Sequence, residues 1–391
     1  PSLKMFYSAT YKIRVTTAAK DSAGNGIASQ YTQTDGFKTT ITIPTTAGSA
    51  QSCFMLDNGS VKCWGKNNLG QLGLGDIINR AENSSGMGSN LTIVDVGSGR
   101  TATAIATGDS HTCGILDNAS IKCWGSNASG QLGLGDDDNR GDNSSEMGDN
   151  LTVIDMGTGR TAIAIEAGDN HTCAILDNAS VKCWGENGNG QLGLGPSISN
   201  RGDGSGEMGD NLTAINLGSG RTATSITTGT GYTCVLLDDD SVKCWGWADF
   251  GQTGASKTDE DDEPQSSPID LGTGITATAI ASGNFHTCAI LDNSSINCWG
   301  LNDSGQLGQG DTSSLGDESN EMGNNLTAVD LGAGKTARAI SAGDRHTCAI
   351  LDNALIKCWG SNTAGQLGLG NTSNRGDNSS EMGDNLPVIS L

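Results

Sequence analysis

Through most of the chain, short apolar runs of four to six residues alternate with longer polar stretches rich in glycine. Cys173–Leu176 and Val181–Trp184 are two such runs, separated by Asp177-Asn178-Ala179-Ser180. Runs of that length, rich in β-branched and apolar residues and divided by a turn sequence, predict a β-hairpin. In the first instance the divider is Asp57-Asn58-Gly59, which signals a tight loop ending in a left-handed residue. One apolar strand precedes the hairpin (Ala162–Ala167), and another, such as Leu151–Met156, follows the polar insert. About four short strands per unit result, and no segment has a helical period.

The pattern recurs six times. Six cysteine pairs mark it, each with nine residues between: Cys53 and Cys63, Cys113 and Cys123, Cys173 and Cys183, Cys234 and Cys244, Cys288 and Cys298, Cys348 and Cys358. The first cysteines lie 60, 60, 61, 54 and 60 residues apart. A unit runs G-x-x-H-T-C-A-I-L-D-N-x-S-V-K-C-W-G-x-N-x-x-G-Q-L-G-L-G, then the polar insert, the apolar strand and a glycine-rich arm such as Gly157–Arg160. A single four-stranded sheet cannot bury both faces, so the units must stack, and radial stacking about an axis closes them into a propeller. The expected fold is all-β, a β-propeller of six four-stranded units over residues 41–391.

A spacing of ten places the two cysteines of a unit opposite each other across the hairpin, where Cα separations of about 4.5–5.5 Å suit a disulfide. Each such short loop contributes roughly 3 kcal/mol in the loop-entropy model. Zinc is the rival, because Cys and His share each unit, but metal clusters need C-x-x-C-type spacing. Twelve cysteines with none left over imply a secreted or cell-surface location. The chain begins at Pro1 with no charged or apolar leader, so an export signal is expected to have been removed or to lie upstream.

Charge narrows the partners. With 44 acidic and 22 basic residues the net charge is −22, which repels nucleic-acid backbones and anionic membranes. No run of eighteen apolar residues exists to span a bilayer. Glycine, at 58 residues, follows no every-third spacing, which points to turns rather than collagen.

Three motifs carry a family likeness: G-x-x-H-T-C (Gly108 to Cys113), C-W-G-x-N (Cys123 to Asn127) and G-Q-L-G (Gly130 to Gly133). Residues 41–391 resemble the regulator of chromosome condensation repeat family, in particular its secreted, cysteine-bearing branch. The resemblance implies a propeller, usually of seven blades. Six units therefore imply either a six-bladed ring or a seventh blade built from residues before Ile41 or from sequence beyond these residues. The founding member's nucleotide exchange on a small GTPase is not expected in a disulfide-framed chain of charge −22. Other members, including a secreted β-lactamase inhibitor, bind proteins.

Residues 1–40 differ in character. Tyr11-Lys-Ile-Arg-Val-Thr-Thr and Tyr31 to Thr39 read as strands about a turn at Lys20–Asn25. They resemble the closing strands of a bacterial Ig-like domain, and forty residues are too few for a whole sandwich.

Candidates for chemistry are sparse. His111, His171, His286 and His346 all occupy one repeat slot, filled by Gln51 and Tyr232 elsewhere, which marks them as structural histidines bonding between strands or blades. The insert, with Asp136, Asp138 and Asp142, offers oxygen ligands of the kind Ca2+ takes, against a solvated loop whose Arg pairs with the recurring Glu. The Arg-Gly-Asp triplets beginning at 140, 201 and 375 are expected to set a turn. The fourth unit is short and adds Trp247, Asp249 and Phe250, a candidate protein or sugar contact. No catalytic motif stands out. The expected function is a non-enzymatic extracellular module for protein interaction, adhesion or self-assembly. Two alternatives stand beside it: a carbohydrate-binding or carbohydrate-active propeller, and a secreted protein inhibitor.

Overall fold

The computed structural model describes residues 50–81, 87–195, 199–254, 263–265 and 267–389, together with short strands nearer the N-terminus. Two compact units are present, one within Leu3–Ile43 and one over Pro44–Leu391. The smaller contains two antiparallel ladders. Strand β1 (Ser8–Tyr11) pairs with β4 (Phe37–Thr40), and β2 (Arg14–Val15) with β3 (Tyr31–Thr32). The expected turn at residues 20–25 lies outside the described residues.

The larger unit consists of six antiparallel three-stranded sheets, the blades. Blade I is β5 (Thr45–Ala47), β6 (Gln51–Met55) and β7 (Val61–Gly65); blade II is β8 (Ala102–Thr107), β9 (His111–Leu116) and β10 (Ile121–Gly125). Blade III is β11 (Ala162–Ala167), β12 (His171–Leu176) and β13 (Val181–Gly185); blade IV is β14 (Ala223–Thr228), β15 (Tyr232–Leu237) and β16 (Val242–Gly246). Blade V is β17 (Ala277–Ser282), β18 (His286–Leu291) and β19 (Ile296–Gly300); blade VI is β20 (Ala337–Ala342), β21 (His346–Leu351) and β22 (Ile356–Gly360). Among the described residues the only helical segments are five single turns of 3-10 helix, each at the end of an insert.

The fourth strand expected in each unit is not a regular strand. After the insert the chain crosses the edge of the blade and makes a single ladder bond, as from Ile154 N–H to Ile121 C=O (3.0 Å) or Val329 N–H to Ile296 C=O (2.8 Å). In blades I, II and V a physical reason is competition for its backbone. The carbonyls of Val96, Met156 and Leu331 accept instead from Lys122, Lys182 and Lys357 of the following blade, at 3.0–3.1 Å.

The hairpin itself follows the sequence closely. Cys113 lies directly opposite Cys123, and Cys173 opposite Cys183, and the same register holds in every blade. All six pairs are disulfides, with Cα atoms 4.0–4.1 Å apart. The loop closes with Leu176 N–H bonded to Ser180 C=O and Ala179 N–H to Leu176 C=O. That geometry forces the third loop residue into the left-handed region. Only blade I has glycine there (Gly59, φ 76°), whereas Ala119, Ala179, Asp240, Ser294 and Ala354 hold φ of 60–64°.

Burial is concentrated between blades rather than within them. Five apolar clusters each combine the hairpin and outer segment of one blade with the first strands and tryptophan of the next. In the joint between blades II and III, for example, Ile121, Leu132, Ile154 and Met156 meet Ile165, Leu176 and Trp184. A left-handed conformation costs an L-residue roughly 1–2 kcal/mol, and glycine returns part of that as chain entropy. Ala179→Gly is therefore expected to stabilise the protein by about 0.5 kcal/mol, and Ala119, Ala179 and Ala354 replaced together by more. Thermal unfolding of the single and triple variants measures this.

Candidate functional site

The residues that looked most chemical in the sequence are joint parts. The carbonyl of the Gln in G-Q-L-G accepts two bonds from the next blade. Gln131 C=O takes the Thr172 hydroxyl (2.8 Å) and the Trp184 indole N–H (3.0 Å). Gln191, Gln252 and Gln306 repeat the pair with Thr233 and Trp245, Thr287 and Trp299, and Thr347 and Trp359. These four threonines, with Thr112, are buried, as are the five tryptophans of blades II to VI.

Three of the four histidines complete the joint ahead of them. His111 Nε2 lies 2.9 Å from Thr172 Oγ1, His171 Nε2 3.0 Å from Thr233 Oγ1 and His286 Nε2 2.8 Å from Thr347 Oγ1. Because each threonine spends its one hydrogen on the Gln carbonyl, the histidine must donate from Nε2. Nδ1 is then an unprotonated ring nitrogen, buried without a partner in all three. Protonating it would bury an unsatisfied N–H, and burial holds His111 down to about 4 and His171 and His286 to about 3. Neutral and buried, these histidines have no proton to trade near neutrality. In the two other copies Gln51 donates to Gly108 C=O (3.0 Å) and Tyr232 to His286 C=O (2.6 Å), so both also reach the following blade.

The insert is likewise engaged with the scaffold. Gly202 and Asp203 of an Arg-Gly-Asp triplet press on the preceding blade, where a methyl group on Gly130 would fall 2.3 Å from Asp203 N. Gly135 N–H donates to Gly202 C=O (2.9 Å). The triplets at 140 and 375 make the same contact, from Gly75 to Gly141 and from Gly310 to Gly376. Arg201 and Arg375 approach the recurring Glu207 and Glu381 at 3.7 and 3.9 Å, whereas Arg140 turns to Asp136 at 2.6 Å.

Asp136, Asp138 and Asp142 are not drawn together as a set. Asp136 accepts from Asn127 and from the Asp138 amide, and Asp142 accepts from Asn143. Burial, with the carboxyl of Glu146 beside it, pushes Asp142 up. Among the described residues no three His, Cys, Asp or Glu side chains are grouped to hold a metal.

Two features remain outside the joints. Trp247, Phe250 and Phe285 form a mutual aromatic cluster spanning blades IV and V, with ring centroids 5.4–5.8 Å apart. All three are half-buried, and Asp249 beside them is exposed. Phe285 is absent from the sequence-level expectation. Its signal was available, since it fills a slot held by Ser110, Asn170, Gly231 and Arg345 in other units.

The second feature is acidic. Asp109, Asp169 and Asp344 each follow the first glycine of G-x-x-H, and the slot brings them toward one another although they come from blades II, III and VI. Burial and the charges of Asp109, Glu186 and Asp344 push Asp169 up to about 6. Glu186 is held in place by Asn170, at 3.2 Å. Glu186 and Trp247 share one repeat slot, and Asn170 and Phe285 another, so the carboxylates and aromatics belong to the same face.

A sequence model described as the RCC1-like domain matches residues 29–384. The chain is 28% identical over 328 residues to the ultraviolet-B receptor UVR8 of Arabidopsis thaliana, covering 83% of this chain and 66% of the receptor. It is 26% identical over 271 residues to the human E3 ubiquitin-protein ligase HERC2, covering 69% of this chain and 5% of that protein. Among solved structures, yeast RCC1 (Prp20) bound to Kap60 superposes with a TM-score of 0.65 at 17% identity, covering 89% of this chain and 74% of that one. Human WBSCR16 gives 0.67 at 15% identity, covering 96% and 90%.

The buried histidines fix a pH dependence. Their folded values lie below the unfolded value of about 6.5, so the unfolded chain binds more protons as pH falls. Stability is fully present above that value and is lost progressively from about pH 6.5 toward pH 3. Replacing His111, His171 and His286 with Gln, the residue of blade I, is expected to flatten this fall, as followed by thermal unfolding across pH. Asp169 has the opposite sign. Its raised value stabilises the fold below about pH 4 and loses that contribution by pH 6. Asp169→Asn should raise the neutral-pH stability by up to ~2 kcal/mol and leave that at pH 4 nearly unchanged.

Proposed function

Because the chain belongs to the RCC1-like domain family, we propose that it is a non-catalytic protein-interaction module that grips a basic segment of its partner. The grip lies on the face bearing Asp109, Asp169, Glu186 and Asp344 together with Trp247, Phe250 and Phe285. The observation that carries this reading is the Asp169 cluster, where half-buried Asp169 is raised by its burial and by the charges of Asp109, Glu186 and Asp344. A carboxyl kept in so unfavourable an environment is a mark of sites that act on something outside the fold. The surroundings favour a cation, because a net charge of −22 draws basic partners and the aromatic rings add an apolar and cation–π contact. Yeast Prp20, of the same fold, is held by Kap60 in its solved complex. Among the described residues, the repeated histidines, threonines and tryptophans are used inside the joints, which supports a binding role over an enzymatic one. Six disulfides support, as part of this reading, a working place in an oxidising compartment, outside the cell or on its surface. A sugar-binding role is less well supported, because the three rings pack edge to face on one another instead of offering a flat platform.

Calorimetry with an oligo-arginine peptide tests the reading. Binding should weaken with salt, roughly tenfold or more in the Trp247→Ala/Phe250→Ala double variant, and several-fold in Asp169→Asn. Equal affinity for all three proteins, or tighter binding of a neutral glycan than of the peptide, would overturn it.

A further inference from the structure

We propose that blade V binds a monovalent metal cation of ammonium size, such as potassium, at the place where other blades put the ammonium of a lysine. The slot before the second cysteine of the hairpin holds lysine in five units, as Lys62, Lys122, Lys182, Lys243 and Lys357, and Asn297 in blade V. In blades II, III and VI the ammonium bridges two backbone carbonyls, one from the preceding blade's outer segment and one from the blade's own insert. Lys122 Nζ donates to Val96 C=O at 3.1 Å and to Gly148 C=O at 2.7 Å. Lys182 repeats this with Met156 (3.0 Å) and Gly209 (2.7 Å), and Lys357 with Leu331 (3.0 Å) and Gly383 (2.7 Å). Two carboxylates stand by each ammonium. Burial pushes Lys122 down and Asp149 and Asp95 oppose it, as Asp210 and Asp155 do for Lys182 and Asp384 and Asp330 for Lys357.

Around Asn297 the same frame is built without the ammonium. Asn297 lies opposite Ala289 in its ladder, as Lys122 lies opposite Gly114 and Lys182 opposite Ala174, so its side chain leaves the sheet on the same side. The corresponding carbonyls are those of Leu271 and Gly323. Gly323 N–H bonds Asp270 C=O at 2.9 Å, as Gly148 N–H bonds Asp95 C=O at 3.0 Å. A methyl group on Gly323 would fall 2.4 Å from the Asp270 carboxylate, against 2.5 Å between Gly148 and Asp95 and 2.4 Å between Gly209 and Asp155. Thr273 N–H donates to Asn324 Oδ1 (2.9 Å) where Ser98 N–H donates to Asp149 Oδ1 (2.8 Å). Asn297 is 4% exposed, and its Oδ1 is buried without a hydrogen-bond partner.

Asparagine ends two bonds short of a lysine ammonium, so a cation at the ammonium's place would lie roughly 2.5–3 Å from Oδ1. The two carbonyls would stand at the distances the lysines show, 2.7–3.1 Å. Carbonyl oxygens that replace a hydration shell are a means of holding potassium, and they are the donors offered here. Asn324 stands where Asp149, Asp210 and Asp384 stand in the other joints, so Asp270 is the one carboxylate of the set. A single negative charge matches a monovalent ion and leaves a divalent one undercompensated. Water fits less well, because it has two hydrogens for three acceptors and no charge to set against Asp270. The ion would tie the outer segment of blade IV to the insert of blade V, as the lysines do elsewhere. None of these residues belongs to the Asp169 face, so the site stands apart from the basic partner.

Thermal unfolding in potassium chloride and in choline chloride at equal ionic strength tests the site. Potassium should raise Tm saturably, by about 1–2 °C or more. Asn297→Lys restores the residue of the other five blades. That variant should unfold above the unaltered chain in choline chloride and lose its response to potassium. Equal Tm values for the unaltered chain in the two salts, or a potassium response that persists in Asn297→Lys, overturn the proposal. So does a larger stabilisation by micromolar calcium, which would assign a divalent site. A crystal grown with rubidium chloride reads the ion directly. An anomalous peak is expected between Asn297 Oδ1 and the carbonyls of Leu271 and Gly323, and a water molecule there without anomalous signal refutes it.

Discussion

Everything in the larger unit depends on a backbone carbonyl shared between neighbours. The Gln of G-Q-L-G cannot turn its C=O into a ladder, because it lies beyond the last strand of its blade, and a buried carbonyl left alone would cost several kcal/mol. The next blade supplies a hydroxyl and an indole N–H, and the joint becomes the unit of stability. A blade without its neighbour would expose the carbonyl on one face, and a threonine and tryptophan on the other. This is why the apolar clusters fall between sheets, and why no blade has a core of its own.

Glycine makes that closeness possible. The first glycine of G-x-x-H has ordinary backbone angles, and its role is space. At Gly108 a side chain would strike His111 Cε1 at 2.3 Å and the carbonyl of Gly168, in the next blade, at 2.2 Å. Strands brought this near leave room for neither side chains nor water, so the histidines lose their solvation and stay neutral. The disulfides act at right angles to this. They tie strand to strand within each hairpin and hold the tryptophan and threonine, which flank the cysteines, in fixed register. Rigid hairpins and hydrogen-bonded joints together leave little of the repeat motif free for chemistry. Function is then expected where a slot departs from the repeat, as at Trp247, Phe285 and Asp169.

The legible and illegible parts divide along that line. Hairpin, cysteine pairing and left-handed loop residue were readable because they are settled within a dozen residues by strand alternation and turn chemistry. Structural use of the histidines was readable from their repetition in a shared slot. The fourth strand was misread, since its apolar alternation is that of a strand and nothing local shows that a lysine from the following blade takes its carbonyls. The acidic cluster was invisible for a related reason. Asp109, Asp169 and Asp344 are far apart in sequence, and their one shared property is a slot that stacking brings together.

The sequence by itself determined the repeat, the staples and the all-β class, because each is encoded by spacing within a single unit. Tertiary structure alone decided how the units meet: which carbonyl accepts from which blade, and which carboxylates lie close enough to raise Asp169. Those outcomes rest on how neighbouring units dock, and no single unit of sequence contains that arrangement.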